Sequence, residues 1–136
     1  MAKLIRSIPC VDIIIDKDSN TVSYMHMVEG LLLPEGEAFP SILIGTLWES
    51  TKKNDKLTMR ARISTPDGNE HTAKEFAVEF GEYKRYRINV RVPSFPVREA
   101  GNYRITIEHR GRKNWVKDDE FSLQLTFTED KPAKTT

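Results

Sequence analysis

A chain of 136 residues with 38% hydrophobic residues is long enough for one domain with its own core, closed without disulfides or a structural metal. Its 21 basic and 20 acidic residues nearly cancel, so bulk charge predicts neither a nucleic-acid partner nor a membrane surface. No apolar run approaches the roughly 20 residues of a membrane helix, Met1–Arg6 has no secretory character, and a single Cys10 excludes an internal disulfide, so a cytoplasmic protein with a buried free thiol is expected.

In chain order, the dominant signal is a two-residue alternation of apolar and polar side chains. Leu57-Thr58-Met59-Arg60-Ala61-Arg62-Ile63 shows it best, apolar at every odd position. A strand sends successive side chains to opposite faces, so such a segment has one dry and one wet face. Eight strands are predicted, over 4–15, 21–33, 41–48, 56–64, 71–80, 85–92, 102–109 and 121–127. Asp16–Asn20 is a polar turn, Pro34–Glu37 breaks the chain before Ser41, and Thr65-Pro66-Asp67-Gly68-Asn69 is the clearest hairpin turn. Three consecutive leucines, 31–33, cannot all face inward from a regular strand: either Leu32 is exposed, or a bulge at Gly30 buries it. Expected core positions include Ile13, Ile15, Tyr24, Leu43, Leu47, Met59, Val90, Ile105 and Leu123. Residues 1–128 are expected to form the domain and 129–136 a polar, disordered tail.

Ala100-Gly101-Asn102-Tyr103, opening an alternating strand, resembles the tyrosine corner of immunoglobulin-like sandwiches, in which Tyr103 would bond back to upstream backbone; an ordinary core tyrosine is the alternative. Residues 10–127 also resemble an uncharacterised family of small bacterial β-sandwich proteins. The motifs are Cys10-Val11-Asp12, Val28-Glu29-Gly30, Phe39-Pro40, Ile63-Ser64-Thr65-Pro66-Asp67-Gly68 and Gly101-Asn102-Tyr103. That resemblance implies an immunoglobulin-like antiparallel β-sandwich of seven to nine strands and assigns no activity to any residue.

Catalytic chemistry has little support. His26, His71 and His109 are scattered, and no nucleophile motif accompanies them. One cysteine and three dispersed histidines lack zinc spacing. Asp16, Asp18 and Asn20 open like a calcium loop, but Thr21 stands where glycine is required; Asp118-Asp119-Glu120 is a second acidic cluster whose distance from the first depends on how Gly30 divides the second strand. No cofactor, metal or enzymatic activity is expected.

Charge patterning is more informative. Between Lys84 and Lys113, nine basic residues face only Glu99 and Glu108. Arg85, Arg87 and Arg91 share one strand face, and Arg110, Arg112, Lys113 and Trp115 surround the last turn. Guanidinium forks suit phosphates and carboxylates. The bland alternative is cross-strand pairing, with Glu75 and Glu79 available for Arg60 and Arg62. On this basis the leading expectation is a non-catalytic module that recognises a protein partner through these seven residues. The alternative is nucleic-acid binding through the arginine-rich face, and a homo-oligomer is a further possibility.

Overall fold

The computed structural model describes residues 1–128, so the expected 129–136 tail lies outside the described residues. The described chain is all β, with twelve strands: β1 (Lys3–Asp16), β2 (Thr21–Met27), β3 (Gly30–Pro34), β4 (Ala38–Phe39), β5 (Ile42–Glu49), β6 (Lys56–Ser64), β7 (Glu70–Thr72), β8 (Phe76–Glu79), β9 (Arg85–Val92), β10 (Phe95–Pro96), β11 (Gly101–Arg110) and β12 (Trp115–Thr128). One sheet has the order β2-β1-β5-β9. A second has the order β3-β12-β11-β6-β7, with β8 also on β6, and β4 pairs with β10 as a small ribbon. Among the described residues no helix is long and apolar enough to cross a membrane.

The alternating segments behave as the pattern demands. Leu57, Met59, Ala61 and Ile63 of β6 are buried, as are Tyr103, Ile105 and Ile107 of β11 and Leu123 and Leu125 of β12. From the other sheet Ile42, Ile44 and Trp48 of β5 and Ile88, Val90 and Val92 of β9 join them in one continuous apolar cluster. Burial of this area is the main stabilising term of the fold. The buried Trp48 and Thr46 are satisfied by each other and the backbone: Trp48 Nε1 donates to Thr46 Oγ1 at 2.8 Å, and that hydroxyl donates to the Ile88 carbonyl at 2.6 Å.

Three expectations are corrected. First, the sheets are not purely antiparallel, because β3 runs parallel to β12. The predicted strand 21–33 is broken at Val28 and Glu29, two residues past His26, which takes a positive φ of 57° near the end of β2. After a last tie from Val28 N to Pro9 O, the chain leaves the edge of one sheet for the edge of the other. Second, 71–80 is divided into β7 and β8, both on β6. Third, β5 turns its other face to the main core. Ile42, Ile44 and Trp48 face inward, whereas Leu47 and Cys10 are buried outside that cluster. Leu32 is exposed at 72% while Leu31 and Leu33 pack on the core, so the alternation continues past Gly30. Ile15 is likewise exposed.

The outward face of β5 is covered at Gly45 by Ile13 and Tyr24 from the far half of the β1–β2 hairpin. A methyl group placed on Gly45 would sit 2.5 Å from the Tyr24 ring and 3.1 Å from the Ile13 methyl. Glycine is therefore required here by close approach. The first half of β1 lies in register with β5, Ile8 opposite Gly45, and the second half bends back over that face.

Gly45→Ala is expected to destabilise the domain by about 1–3 kcal/mol through overpacking. Most of that cost should vanish in a Tyr24→Ala background. Equilibrium urea unfolding of the two single variants and the double variant measures the coupling, and strictly additive effects would place the hairpin elsewhere.

Candidate nucleic-acid interface

Strand direction decides which turns meet. Lys3, Glu49 and Arg85 are in register across the first sheet, and Lys56 pairs with Glu79 and Arg110 with Trp115 in the second. The 50–55, 80–84 and 111–114 turns therefore emerge at one end of the domain. Over 50–55, 80–84 and 111–114 there are five basic residues (Lys52, Lys53, Lys84, Arg112, Lys113) against Asp55 and Glu82. The turns at the opposite end, 35–37, 65–69 and 97–100, carry Glu35, Glu37, Asp67 and Glu99 against Arg98. A chain of nearly zero net charge is thus strongly polarised.

The basic end is rigidly built. Asp55 is 1% exposed. Its carboxylate accepts from the Thr51 and Lys56 amides, both at 2.9 Å, and from the Thr51 hydroxyl. Burial by itself would push the Asp55 pKa up, but these bonds outweigh it and hold the carboxyl below the usual aspartate range. The turn is knitted to its neighbour by backbone bonds from Ser50 N to Lys84 O (2.8 Å), Phe80 N to Asp55 O (2.9 Å) and Asn54 N to Gly81 O (3.3 Å). Positive φ angles at Asn54 and Gly81 close these bends. Two surface grooves result. One, of about 480 Å³, runs between Thr51–Lys53 and Gly81–Lys84. The other, of about 490 Å³, is lined by Lys52, Asn54, Lys56 and Arg112. Lys52 belongs to both.

The predicted binding residues divide between this end and the body of the sheets. Arg110, Arg112, Lys113 and Trp115 sit at the β11–β12 turn, and Arg85 starts β9 at the same end. Arg87 and Arg91 recede along β9, away from it. Several are already engaged. Arg85 faces Glu49 at 3.5 Å, and Arg91 donates to Ser41 Oγ at 3.1 Å. Arg87 is half-buried, and its Nε, like the Oδ1 of Asn89, is enclosed without a hydrogen-bond partner among the described residues. The guanidinium carbons of Arg60 and Arg110 lie 4.0 and 5.6 Å from the centre of the Trp115 ring, so that indole is occupied by cation–π contacts. Arg112 and Lys113 remain exposed, and neither makes an ion pair among the described residues.

The same holds for Lys52, Lys53 and Lys84, which the alternation pattern passes over. The signal for Lys52 and Lys53 was a short polar run, Thr51-Lys52-Lys53-Asn54-Asp55-Lys56, whose partner turns are known only once the strands are in register, whereas Lys84 opens the basic stretch that runs to Lys113.

The pairing of Arg60 and Arg62 is also corrected. They bind Glu108, not Glu75 or Glu79: Arg60 Nε donates to Oε1 at 2.8 Å, and Arg62 reaches Oε1 at 3.1 Å and Oε2 at 2.9 Å. Arg62 also bonds Glu70 at 2.8 Å. Glu108 projects from the adjacent central strand β11, level with Arg60 in the ladder, whereas Glu79 is level with Lys56.

The histidines do not assemble. His26 is exposed on β2, and His71 stacks on Phe95 at 4.3 Å. His109 is hydrogen-bonded to Asp118 at 2.7 Å. Burial pushes the Asp118 carboxyl up, an effect the His109 bond offsets only in part. Nearby, the Ser7 hydroxyl donates to Asp119 at 2.5 Å and so is not aimed at the imidazole. The Asp16–Asn20 turn lies at the far end of β1 from Lys3. Among the described residues no three His, Cys, Asp or Glu side chains converge as metal ligands.

No protein-family model matches the chain, and no curated sequence does. In fold it is similar to the solved structure of Pseudomonas fluorescens alkylpurine DNA glycosylase AlkC bound to DNA containing an abasic site analog, with a TM-score of 0.54 and 14% identity. The match covers 92% of this chain but only 30% of that one, so the chain spans under a third of its neighbour. The leading sequence expectation, a module for a protein partner, is corrected here: the solved structure that the chain resembles in fold is bound to DNA.

Replacing Glu108 by glutamine should cost about 1–3 kcal/mol, because two guanidiniums lose their buried acceptor. Burial would raise the Glu108 pKa, yet the bonds from Arg60 and Arg62 lower it below the ordinary 4.5. Its contribution is therefore present above that unfolded value and is lost as pH falls through the depressed folded one. Urea unfolding between pH 3 and 6 should show a shallower acid decline in Glu108→Gln than in the parent; identical slopes would refute the assignment.

Proposed function

We propose that this domain binds nucleic acid without catalysing a reaction, holding the phosphate backbone of DNA against its basic end. The observation that carries the proposal is the convergence of Lys52, Lys53, Lys84, Arg112 and Lys113 on three turns, exposed and without carboxylate partners among the described residues. Cations that pair with carboxylates, as Arg60 and Arg62 do, have their charge neutralised locally. Unpaired ones keep it for an incoming anion, and phosphates arranged along a strand are the polyanion that a row of such groups fits. The DNA-bound neighbour supports the same choice of partner.

Backbone contacts of this kind position a protein without reading sequence. Nonspecific binding in the range of about 10⁻⁴ to 10⁻⁶ M at physiological salt is the expected regime. The proposal assigns no catalytic step: His109 and Asp118 bond each other, but the Ser7 hydroxyl donates to Asp119 rather than to that pair. An immunoglobulin-like description of the architecture goes with the proposal. It is supported by the Tyr103 hydroxyl, which donates to the Glu99 carbonyl at 2.7 Å as a tyrosine corner requires. The parallel β3–β12 pair departs from it.

The test is binding of a labelled 20-bp duplex across a salt series. Affinity should fall steeply with salt, because neutralised phosphates release counterions. Lys52→Ala/Lys53→Ala/Arg112→Ala should weaken binding and flatten the log–log slope by about 3, near one per lost contact. Thermal unfolding should hardly change, since all three side chains are exposed. A duplex that is not retained at low salt, or a triple variant that binds like the parent, would overturn the proposal.

A further inference from the structure

Tyr83 is 74% exposed, more than any other large apolar side chain described. It sits on the 80–84 turn and lines the groove that Lys52, Lys53 and Lys84 also line. An aromatic ring left in water sacrifices burial, and here the ring is held out on a fixed mount. Tyr83 N donates to Phe80 O at 2.9 Å, Phe80 is fully buried, and the turn is bonded to the neighbouring one through Gly81 and Lys84. The other aromatics at this end are taken: Trp115 lies under Arg60, and Tyr86 packs on Phe80 with ring centres 5.8 Å apart. Tyr83 makes no ring or cation contact among the described residues.

We infer that Tyr83 and the Lys52–Lys53–Lys84 cations form a stacking site for an unpaired nucleobase, so that this end of the domain favours single-stranded or locally opened DNA over an intact duplex. The inference rests on the nucleic-acid proposal and adds to it. Phosphate contacts alone do not distinguish the two forms, whereas a ring face is offered only by a base that has left its stack. The lysines would hold the backbone on either side of the groove, and the ring would receive the base between them. A phenol suits this role because stacking is tolerant of base identity, and the groove's two carboxylates, Glu49 and Glu82, leave its three lysines in excess.

The experiment compares a labelled 12-nucleotide oligothymidine with a blunt 20-bp duplex by fluorescence anisotropy at low salt. Tyr83→Ala should weaken oligothymidine binding about tenfold and leave duplex binding within about twofold. Tyr83→Phe, which keeps the ring, should bind both like the parent. Lys52→Ala/Lys53→Ala should weaken both. Equal loss on both ligands in Tyr83→Ala, or no loss on either, would overturn the stacking role while leaving the basic end intact. A parent protein that binds duplex but not oligothymidine would do the same. A parent that binds neither would remove the underlying nucleic-acid proposal as well.

Discussion

The carboxylate of Asp55 is the point on which the basic end is built. Buried among Thr51, Lys56 and the backbone that leads to Phe80, it accepts three hydrogen bonds and fixes the bend between β5 and β6. A buried carboxylate without donors would be very costly; with them it stays ionised and holds the loop. Because the same loop is bonded to the β8–β9 turn at three backbone positions, one internal anion organises two exposed cationic turns. Its negative charge faces the Thr51 and Lys56 amides and the Met1 ammonium 3.7 Å away, and it makes no ion pair with Lys52 or Lys53.

The domain thereby uses its cations in two ways. On the face of the second sheet, Arg60, Arg62 and Arg104 are set among Glu70, Glu108 and Glu120, and that surface is a cross-strand lattice that supports the fold. At the end of the domain Lys52, Lys53, Lys84, Arg112 and Lys113 stand on turns and make no ion pair among the described residues, whereas Arg85 at the start of β9 faces Glu49. Acidic residues collect instead on the turns at the other end. Net charge conceals this arrangement, since the two ends nearly cancel, but a polyanion approaching the molecule meets the local field.

How much of this was legible in the sequence depends on what each signal encodes. Alternation in 57–63 and 103–107 placed β6 and β11 and their buried faces correctly, because each has one dry and one wet side. It could not orient β5: Ile42-Leu43-Ile44 and Leu47-Trp48 are covered on both faces, one by the main core and the other by the curled β1–β2 hairpin, so parity carries no information there. The Tyr103 bond was legible because it is local, four residues back to Glu99. The Glu108 partnership with Arg60 and Arg62 was not, since it depends on register between strands some 46–48 positions apart. The candidate interface shows the same division. Arg110, Arg112 and Lys113 were visible as a run, whereas Lys52 and Lys53 became its neighbours only through strand direction, and Trp115 proved to be covered by arginine.

Phosphate binding by exposed turns predicts a footprint rather than a single critical residue. Under the proposed function, nucleic acid meets one end of the domain and not its sheet faces. Backbone amide chemical-shift mapping during titration with a short DNA duplex at low salt tests it most directly. The account predicts shifts concentrated in residues 50–56, 80–85 and 110–115, with 35–37, 65–70 and 97–100 unmoved. Shifts centred on the acidic end, or spread along the outer faces of the sheets, would contradict it.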